Sequence, residues 1–317
     1  MKKGIRSIAL IMAMVLLLSV CGAPARASES AAQHVNVLAL LCEGSYVIVP
    51  LVLTFDLEKN TVRIINFFYQ TQIDAVTKKG SALSMPMTFL GYCEPGEIVK
   101  AYENTFGIPI DKYIFYDYSN YKTVVSAFGL LCPVTLEISD EVMGDEEYST
   151  INGTMKMFAK SLKFEYTPLT QAGIQALDAL ALLAYLVTIP DRIWESGDRF
   201  TMMMEDYAYW DAKERAVIEA LRPVISQMDP DAVLAFAQQA LEDQETDITQ
   251  KDLAAMFSAV FTFPQEEPYF TVPGFEGVEM EDFDANALTG VYGYDSKMLV
   301  YDNEAMARRI RAFIYGE

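Results

Sequence analysis

The sequence is poor in the residue types that most enzyme active sites use. Among 317 residues it has one histidine, four cysteines and 24 lysines or arginines, against 44 aspartates or glutamates. Catalysis of the Ser-His-Asp or Cys-His type would have to rest on His34 alone, and metal sites built from several histidines are excluded. The 17 glycines form neither a GxGxxG nor a GxxxxGK[ST] pattern. A net charge of −20 argues against a nucleic-acid partner.

The chain is rich in apolar residues, which make up 52% of it, and 12% of its residues are aromatic. This composition excludes a disordered protein and supplies enough side chains for a sizeable core.

The first 27 residues have the features of an export signal. Lys2, Lys3 and Arg6 precede the apolar run 8–20, and Ala25-Arg26-Ala27 fits a cleavage site. We expect cleavage near Ala27 and a secreted, extracytoplasmic protein. Cleavage removes four cationic residues and no acidic ones, so the net charge would fall from −20 to −24. Retention of the run as a membrane anchor, or lipidation at Cys21, is the alternative.

Three cysteines remain after cleavage, an odd number that does not suggest a disulfide framework. Cys42 and Cys132 lie in apolar runs and are expected to be buried. Cys93, in the polar segment GYCEPGE, is expected at the surface. The glycosylation sequon at Asn152 is expected to lie in a loop and to carry no glycan.

Several segments have the pattern of strands. Residues 46–56 and 61–68 flank a polar turn and predict a hairpin, and the strands are expected to be covered on both faces because they are almost continuously apolar. Pro50 predicts a bulge or an edge position in the second of them. The expected strands of one sheet are 35–41, 46–56, 61–68, 111–118 and 132–138.

Helical patterns alternate with these strands, which favours an α/β sandwich with a mixed central sheet. Residues 97–107 predict a helix that ends at Gly107, and 139–167 predict a loop with some order at 155–164. Residues 170–189 predict one long buried helix, apolar on all sides. An amphipathic helix over 204–222 is expected to end at Pro223, and the tail predicts strand, strand and helix.

The order of these segments resembles the LytR-CpsA-Psr family of cell-envelope proteins. GIPIDKYIFYDYSNYKTVVSAFG followed by PVTLEI is similar to the family pattern GIPIDYYVxVDFxGFxxLVDxLGGVxVDV, VNVLALL is similar to NVLLLG, and KERAVIEAL is similar to RQQxxLxAL. The resemblance implies extracytoplasmic enzymes that move glycopolymers from a polyprenyl pyrophosphate to the cell wall. After the signal peptide over 1–27, we therefore expect a family-like α/β domain over 28–227 and a C-terminal helical and strand-helix extension over 228–317 packed on it.

The resemblance fails at the positions that would carry the chemistry. The family holds pyrophosphate with several arginines and with aspartates linked to Mg²⁺, because a polyanion must be neutralised during transfer. Ile48 stands in place of one such Asp, and Tyr69 and Gln70 stand in place of the Arg and Asp of IPRDT. No Lys or Arg occurs between Ile64 and Thr77. We therefore expect no Mg²⁺ and no other cofactor.

The resemblance leaves two sets of candidate residues. The candidates for a vestigial site are Glu43, Tyr69, Gln70, Thr71, Arg199, Lys213 and Arg215. The candidates for an apolar ligand pocket are Phe67, Phe68, Leu180, Leu183 and Tyr185. For every one of them an ordinary structural role is the simpler interpretation.

Three hypotheses follow. The first is a non-catalytic envelope protein that binds an isoprenoid lipid, a cell-wall polymer or a protein partner through an apolar pocket. The second is a divergent active transferase that uses Glu43, Arg199, Lys213 or Arg215 in a new geometry. The third is a secreted structural or regulatory module without a small ligand. The missing cations favour the first and the third.

Overall fold

The computed structural model describes residues 34–59, 61–68, 71–80, 82–83, 89–117, 121–144, 149–188, 190, 199–225, 227–229, 244–253, 256, 269–272, 279–282, 297–300 and 302–316. They fall into two compact units. The sheet unit contains residues 34–117 and 244–316, and the helical unit contains residues 121–229.

The sheet unit is built on a mixed six-stranded sheet with the order β10-β3-β2-β1-β6-β9. Its strands are β1 (His34–Glu43), β2 (Tyr46–Asp56), β3 (Thr61–Phe67), β6 (Lys112–Asp117), β9 (Glu245–Thr246) and β10 (Tyr269–Val272). β1, β2 and β3 are antiparallel neighbours, whereas β6 runs parallel to β1 and β10 runs parallel to β3. Two small hairpins, β4 (Ala75–Val76) with β5 (Ala82–Leu83) and β11 (Glu279–Asp282) with β12 (Lys297–Val300), complete its strands.

Residues on both faces of this sheet are buried, as their continuous apolarity predicts. Leu38 and Leu40 on one face and Val37 and Ala39 on the other are each at most 2% exposed. Two helices, α2 (Pro95–Phe106) and α7 (Asn303–Tyr315), share the core of the Leu38 face; the short α1 (Phe89–Tyr92) precedes them. Gly107 ends α2 with a φ of 61°, a conformation that glycine adopts without strain.

The C-terminal residues are integral to the sheet unit. β10 pairs with β3, α7 packs on α2, and the guanidinium of Arg63 donates to the carbonyl oxygen of Ile314 at 2.7 Å. The amide of Asn36 reaches the hydroxyl of Tyr315 at 3.3 Å. These contacts tie the end of the chain to the start of the sheet.

The helical unit contains four helices and a two-stranded sheet among its described residues. The helices are α3 (Tyr121–Leu131), α4 (Ile151–Leu162), α5 (Ala179–Val187) and α6 (Arg199–Ile225), and β7 (Val134–Ile138) pairs with β8 (Gly173–Leu177). A 3-10 turn spans Asp140–Val142. α5 is buried throughout and packs against α3 and α4.

Three expectations about these elements are wrong in part. Residues 134–138 form a separate sheet with β8 and do not join the central one. The long helix expected over 170–189 is a strand followed by a helix, because the carboxylate of Asp178 accepts from the N–H of Ala181 and starts α5 there. Pro223 lies within α6 and does not end it.

Other local expectations can also be compared with the structure. Cys42 is buried as expected and Cys132 is partly exposed, but Cys93, expected at the surface, is only 2% exposed. Asn152 lies in α4, not in a loop. Its buried side-chain amide donates a hydrogen bond to the carbonyl oxygen of Leu169 and accepts one from the N–H of Leu169. β2 is a central strand, so the edge position suggested by Pro50 is wrong, although a bulge lies close by.

Candidate functional site

The sheet unit has a cavity of about 380 Å³ at one end of its central strands. β1 and β6 run parallel, with Cys42 beside Asp117, so their carboxyl ends meet at the same edge of the sheet. The described lining residues come from these two strands, the β1–β2 turn, α1 and the start of β9: Cys42, Gly44, Ser45, Leu90, Phe115, Asp117, Gln244 and Glu245.

A tight turn and a bulge shape the rim of this cavity. Gly44 has a φ of 59°, which lets the chain reverse in the two residues between β1 and β2. Leu41 pairs with Val49, but Cys42 pairs with Val47, so Ile48 is the extra residue of the bulge. The position matched to a family aspartate therefore lies at an irregularity beside the cavity.

The cavity has an apolar base and an acidic rim. The Asp117 and Glu245 carboxylates line it, and no Lys, Arg or His occurs among its described lining residues. The Asp117 N–H donates to Gln244 Oε1 at 3.0 Å, and the Gly44 N–H lies 3.5 Å from Asp117 Oδ1. These contacts hold the rim residues of three segments together.

Cys42 is the one thiol among the described residues that line this cavity, and its environment keeps it protonated. Burial raises the pKa of the Cys42 thiol well above its ordinary value, and the charges of Asp117 and Glu245 raise it further. Its Sγ lies 3.2 Å from the Leu40 carbonyl oxygen. A thiol in this state is a poor nucleophile, because the thiolate is the reactive form.

The candidates of the sheet unit do not form one cluster that the structure describes. Glu43 is the last residue of β1, but its side chain is outside the described part, as are Tyr69 and Gln70. Thr71 is fully buried, its N–H donates to the Phe68 carbonyl oxygen at 2.8 Å, and its Oγ1 has no hydrogen-bond partner.

Phe67 and Phe68 are buried in the sheet unit. The Phe67 ring centroid lies 5.3 Å from that of Tyr102 and 4.7 Å from that of Phe106, both on α2. These are the contacts of a core residue. A role in binding an apolar ligand stays a prediction.

The ligand set of the family's Mg²⁺ site is incomplete in this chain, because one matched position has no oxygen ligand. Mg²⁺ needs oxygen ligands, and the hydrocarbon side chain of Ile48 has none. Within the part of the chain that the structure describes, no group of three or more His, Cys, Asp or Glu side chains could hold a metal ion.

Lys213 has an unusual position in the helical unit. Only 5% of it is exposed, and its ammonium Nζ donates to the Thr188 carbonyl oxygen at 2.8 Å, at the carboxyl end of α5. The same Nζ lies 4.7 Å from the ring centre of Tyr185 and 4.9 Å from the ring centres of both Tyr209 and Trp210. Cation–π attraction and the helix dipole therefore both stabilise its charge.

The other candidates in this unit lie near Lys213 in sequence or are core residues. Arg215 is 34% exposed and pairs with Asp211 Oδ2 at 2.9 Å, one turn earlier on α6. Arg199 is the first residue of α6, but its side chain is outside the described part. Leu180 and Leu183 are buried in α5. Burial raises the pKa of Tyr185 to about 12, and Glu137 adds to this, so its phenol stays neutral.

The structure thus brings together Lys213 and Tyr185 from the two candidate sets. The sequence interpretation missed Tyr209 and Trp210, although their spacing of four and three residues from Lys213 on one helix was a usable signal. It also missed Asp117, Gln244 and Glu245. Only Asp117 carried a signal, since it ends a strand that was expected to lie in the same sheet as β1.

The chain resembles known proteins in structure but not in sequence. No family model matches it, and no curated protein matches it in sequence. Solved structures do match. TagV of B. subtilis has a TM-score of 0.55 at 16% identity, over 90% of this chain and 98% of TagV. TagT bound to LIIa-WTA has a TM-score of 0.53 at 14% identity, over 92% of this chain and 94% of TagT. The Lin1025 protein of Listeria innocua has a TM-score of 0.52 at 15% identity, over 89% and 99%.

Identities of this size establish the fold alone. The chain has the mixed α/β fold of TagV and TagT, which is that of the LytR-CpsA-Psr family, and the fold expected from the sequence resemblance is confirmed. A search of the described residues for helices that could cross a membrane found none of sufficient length and apolarity.

Proposed function

We propose that this chain is an extracytoplasmic cell-envelope protein that keeps the fold of glycopolymer transferases but does not transfer glycopolymers. The cavity at the carboxyl ends of β1 and β6 is the observation that carries this proposal. It adjoins Ile48, which the resemblance matches to a family aspartate, and Glu43, near which the resemblance places the aspartate that follows the family's first strand. Its described lining includes the carboxylates of Asp117 and Glu245 and no cation.

Charge makes such a cavity unsuitable for a pyrophosphate. A diphosphate carries at least two negative charges near neutral pH, and burying them unpaired is prohibitive. A like charge about 4 Å away adds roughly 4 kcal/mol of repulsion at an effective dielectric constant of about 20. Each missing desolvated charge contact costs about 2–5 kcal/mol. Tyr69 and Gln70, which replace an Arg and an Asp, offer hydrogen bonds and no positive charge.

The contacts of Lys213 argue against the alternative of a divergent transferase. Its ammonium already donates to the carbonyl oxygen of Thr188 and is surrounded by three aromatic rings. A residue held in this way stabilises the helical unit. Recruiting it for a phosphate would require breaking these contacts.

An apolar ligand remains compatible with the missing cations. Binding of an isoprenoid chain depends on buried area, at about 0.8 kcal/mol for each CH₂ group, and needs no specific charge. TagT, which shares this fold, has been solved bound to LIIa-WTA, which makes a lipid or cell-wall polymer the first ligand class to test. In this proposal residues 1–27 act as a cleaved signal peptide, so that the protein meets such ligands outside the cytoplasm.

The test is a transfer assay with the mature chain, residues 28–317, and TagT as the active control. Each protein is incubated with a lipid-linked glycan, peptidoglycan and Mg²⁺, and glycan attached to peptidoglycan is measured. We expect no product from this chain. Turnover comparable to that of TagT would refute the proposal, and N-terminal sequencing of the exported protein should find Ser28 first.

A further inference from the structure

We infer that the exposed face of α4 is a docking surface for an acidic, amphipathic helix of a partner protein. Three residues, Lys156, Lys160 and Lys163, form a lysine row on this face. The surface belongs to the helical unit, so it is independent of the acidic cavity and goes beyond the proposed function. The partner would be recognised by its negative charge and by a small apolar area.

The segment around the lysine row differs in charge from the rest of the chain. The 17 residues 148–164 contain three lysines and no acidic residue, although acidic residues outnumber basic ones by 44 to 24 in the whole sequence. All three lysines are exposed, and among the described residues no ion pair joins any of them to an acid. The ammoniums of Lys78 and Lys100, by contrast, lie 3.4 and 2.8 Å from the carboxylates of Glu94 and Glu97. The positive charge of the row is therefore available to a partner.

The spacing of the row suits a helical partner. Met155, Phe158 and Leu162 are buried and anchor α4 through its other face, and the Thr150 hydroxyl caps the first turn by accepting from the Gly153 N–H. Spacings of four and three residues place the lysines on one side of the helix, about 6 Å and then about 4.5 Å apart along its axis. Glutamates with the same spacing on a parallel helix lie at the same intervals, so they can pair with the row in register.

Apolar side chains beside the row favour an amphipathic partner. Met157 is partly exposed next to Lys156, and Phe164, which follows Lys163, is 39% exposed. The Phe164 N–H donates to the Ala159 carbonyl oxygen at 3.0 Å, which holds Phe164 at the end of α4. A helix with apolar residues beside its glutamates covers these side chains and removes apolar area from water, which is favourable.

Lys163 has a backbone conformation that lysine does not favour. Its φ is 60°, in the left-handed region where glycine or asparagine is the usual residue, and its N–H donates to the Ala159 carbonyl oxygen. Among the described residues, every other positive φ belongs to a glycine. A lysine at this position costs stability, and a role of its charge in binding accounts for that cost.

Other anionic partners fit this surface less well. An anionic membrane would repel a chain of net charge −20, and the apolar face of α4 is buried in its own unit and cannot insert into lipid. A phosphate polymer would use the lysines but not the apolar side chains beside them. An acidic amphipathic helix uses both.

The probe is a synthetic helical peptide of about 20 residues, a length at which an isolated helix can form in water. It carries glutamate along one face with leucine beside it, and its control peptide has glutamine in place of every glutamate. Binding of each labelled peptide to the purified protein is measured by fluorescence anisotropy. We expect saturable binding of the glutamate peptide in low salt and weaker binding of it in high salt. The glutamine peptide should bind about tenfold more weakly, since three exposed ion pairs are lost.

Variants locate the effect on the lysine row. Lys156→Gln, Lys160→Gln and Lys163→Asn should each weaken binding of the glutamate peptide by about two- to fivefold, the size expected for one solvent-exposed ion pair. Asparagine suits the left-handed conformation, so Lys163→Asn should bind less well while its urea midpoint stays the same or rises. Lys251→Gln is the matched control, because it removes an exposed lysine of the sheet unit, and it should leave binding unchanged.

Several results would overturn the inference. They are absence of saturable binding, equal binding of the glutamine peptide, and unchanged affinity in all three row variants. Phosphatidylglycerol vesicles or polyphosphate that bind through the row when the glutamate peptide does not would show that the partner is a membrane or a phosphate polymer instead. A dimer that dissociates when the three lysines are replaced would assign the surface to a second copy of the chain. None of these results affects the transfer assay, so the two proposals are tested separately.

Discussion

Replacing Lys213 with methionine should destabilise the protein, because the ammonium group has a structural role. The side chain is 5% exposed, and its Nζ donates to the Thr188 carbonyl oxygen at 2.8 Å. Three ring centres lie within 4.9 Å of it. Methionine is close in length and apolar, so it can fill the space without supplying a charge or a donor.

The magnitude follows from the contacts that are lost. A hydrogen bond from a charged donor is worth about 1.5–3 kcal/mol, and a desolvated cation–π contact about 2 kcal/mol. The hydrogen-bond value is a net one that already includes the cost of desolvating the ammonium, and the two contributions share one charge, so they do not add in full. We expect a net loss of about 2–4 kcal/mol in the free energy of unfolding.

Urea denaturation followed by tryptophan fluorescence measures this loss, since Trp210 contacts the ammonium directly. Lys156→Met is the matched control, because Lys156 is an exposed lysine on α4 of the same unit. Its effect should stay within about 0.5 kcal/mol. A Lys213→Met protein as stable as this control would refute the structural role and would revive Lys213 as a candidate for ligand binding.

Three further predictions concern other buried groups. Burial raises the pKa of Cys93 to about 11 and that of Cys132 to about 12, and it raises the pKa of Cys42 as well. None of the three thiols should therefore react with iodoacetamide at pH 8 in the native protein, whereas all three should react in urea. Rapid labelling of the native protein would contradict this. Asp56→Ala should cost about 1–3 kcal/mol at pH 7. Burial raises the pKa of Asp56, but hydrogen bonds and charges from Lys59 and His34 outweigh it and lower the pKa. The loss in the free energy of unfolding should therefore be complete above pH 4 and should shrink as the pH falls through the lowered pKa. A loss that does not change with pH in unfolding titrations would exclude this origin. Asn152→Ala should cost about 1–3 kcal/mol by leaving both backbone groups of Leu169 without their partner, and thermal unfolding at the wild-type midpoint would contradict it.

Some features of this fold could be predicted from the sequence because they depend on local periodicity. The mostly apolar segments 34–43, 46–56 and 61–67 favour buried strands, and the polar break between the last two indicates a turn. Gly107 ends a helix because its left-handed conformation is costly for other residues. The lack of cations at the matched family positions is likewise a fact of the sequence.

Pairing partners and shared surroundings were decided by the tertiary structure. Residues 134–138 have the pattern of a strand, but that pattern does not choose a partner, and they pair with β8, part of a segment that is apolar enough to be mistaken for helix. Cys93 lies in a polar segment, yet its side chain joins the core of the sheet unit, because burial depends on packing across the chain. The acidic cavity brings residues 42, 44 and 45 together with 115, 117, 244 and 245, and Lys213 contacts Tyr185 from another helix. Local sequence patterns cannot predict contacts between residues so far apart in sequence, because only the folded chain determines which distant charges and rings come within a few ångströms of each other.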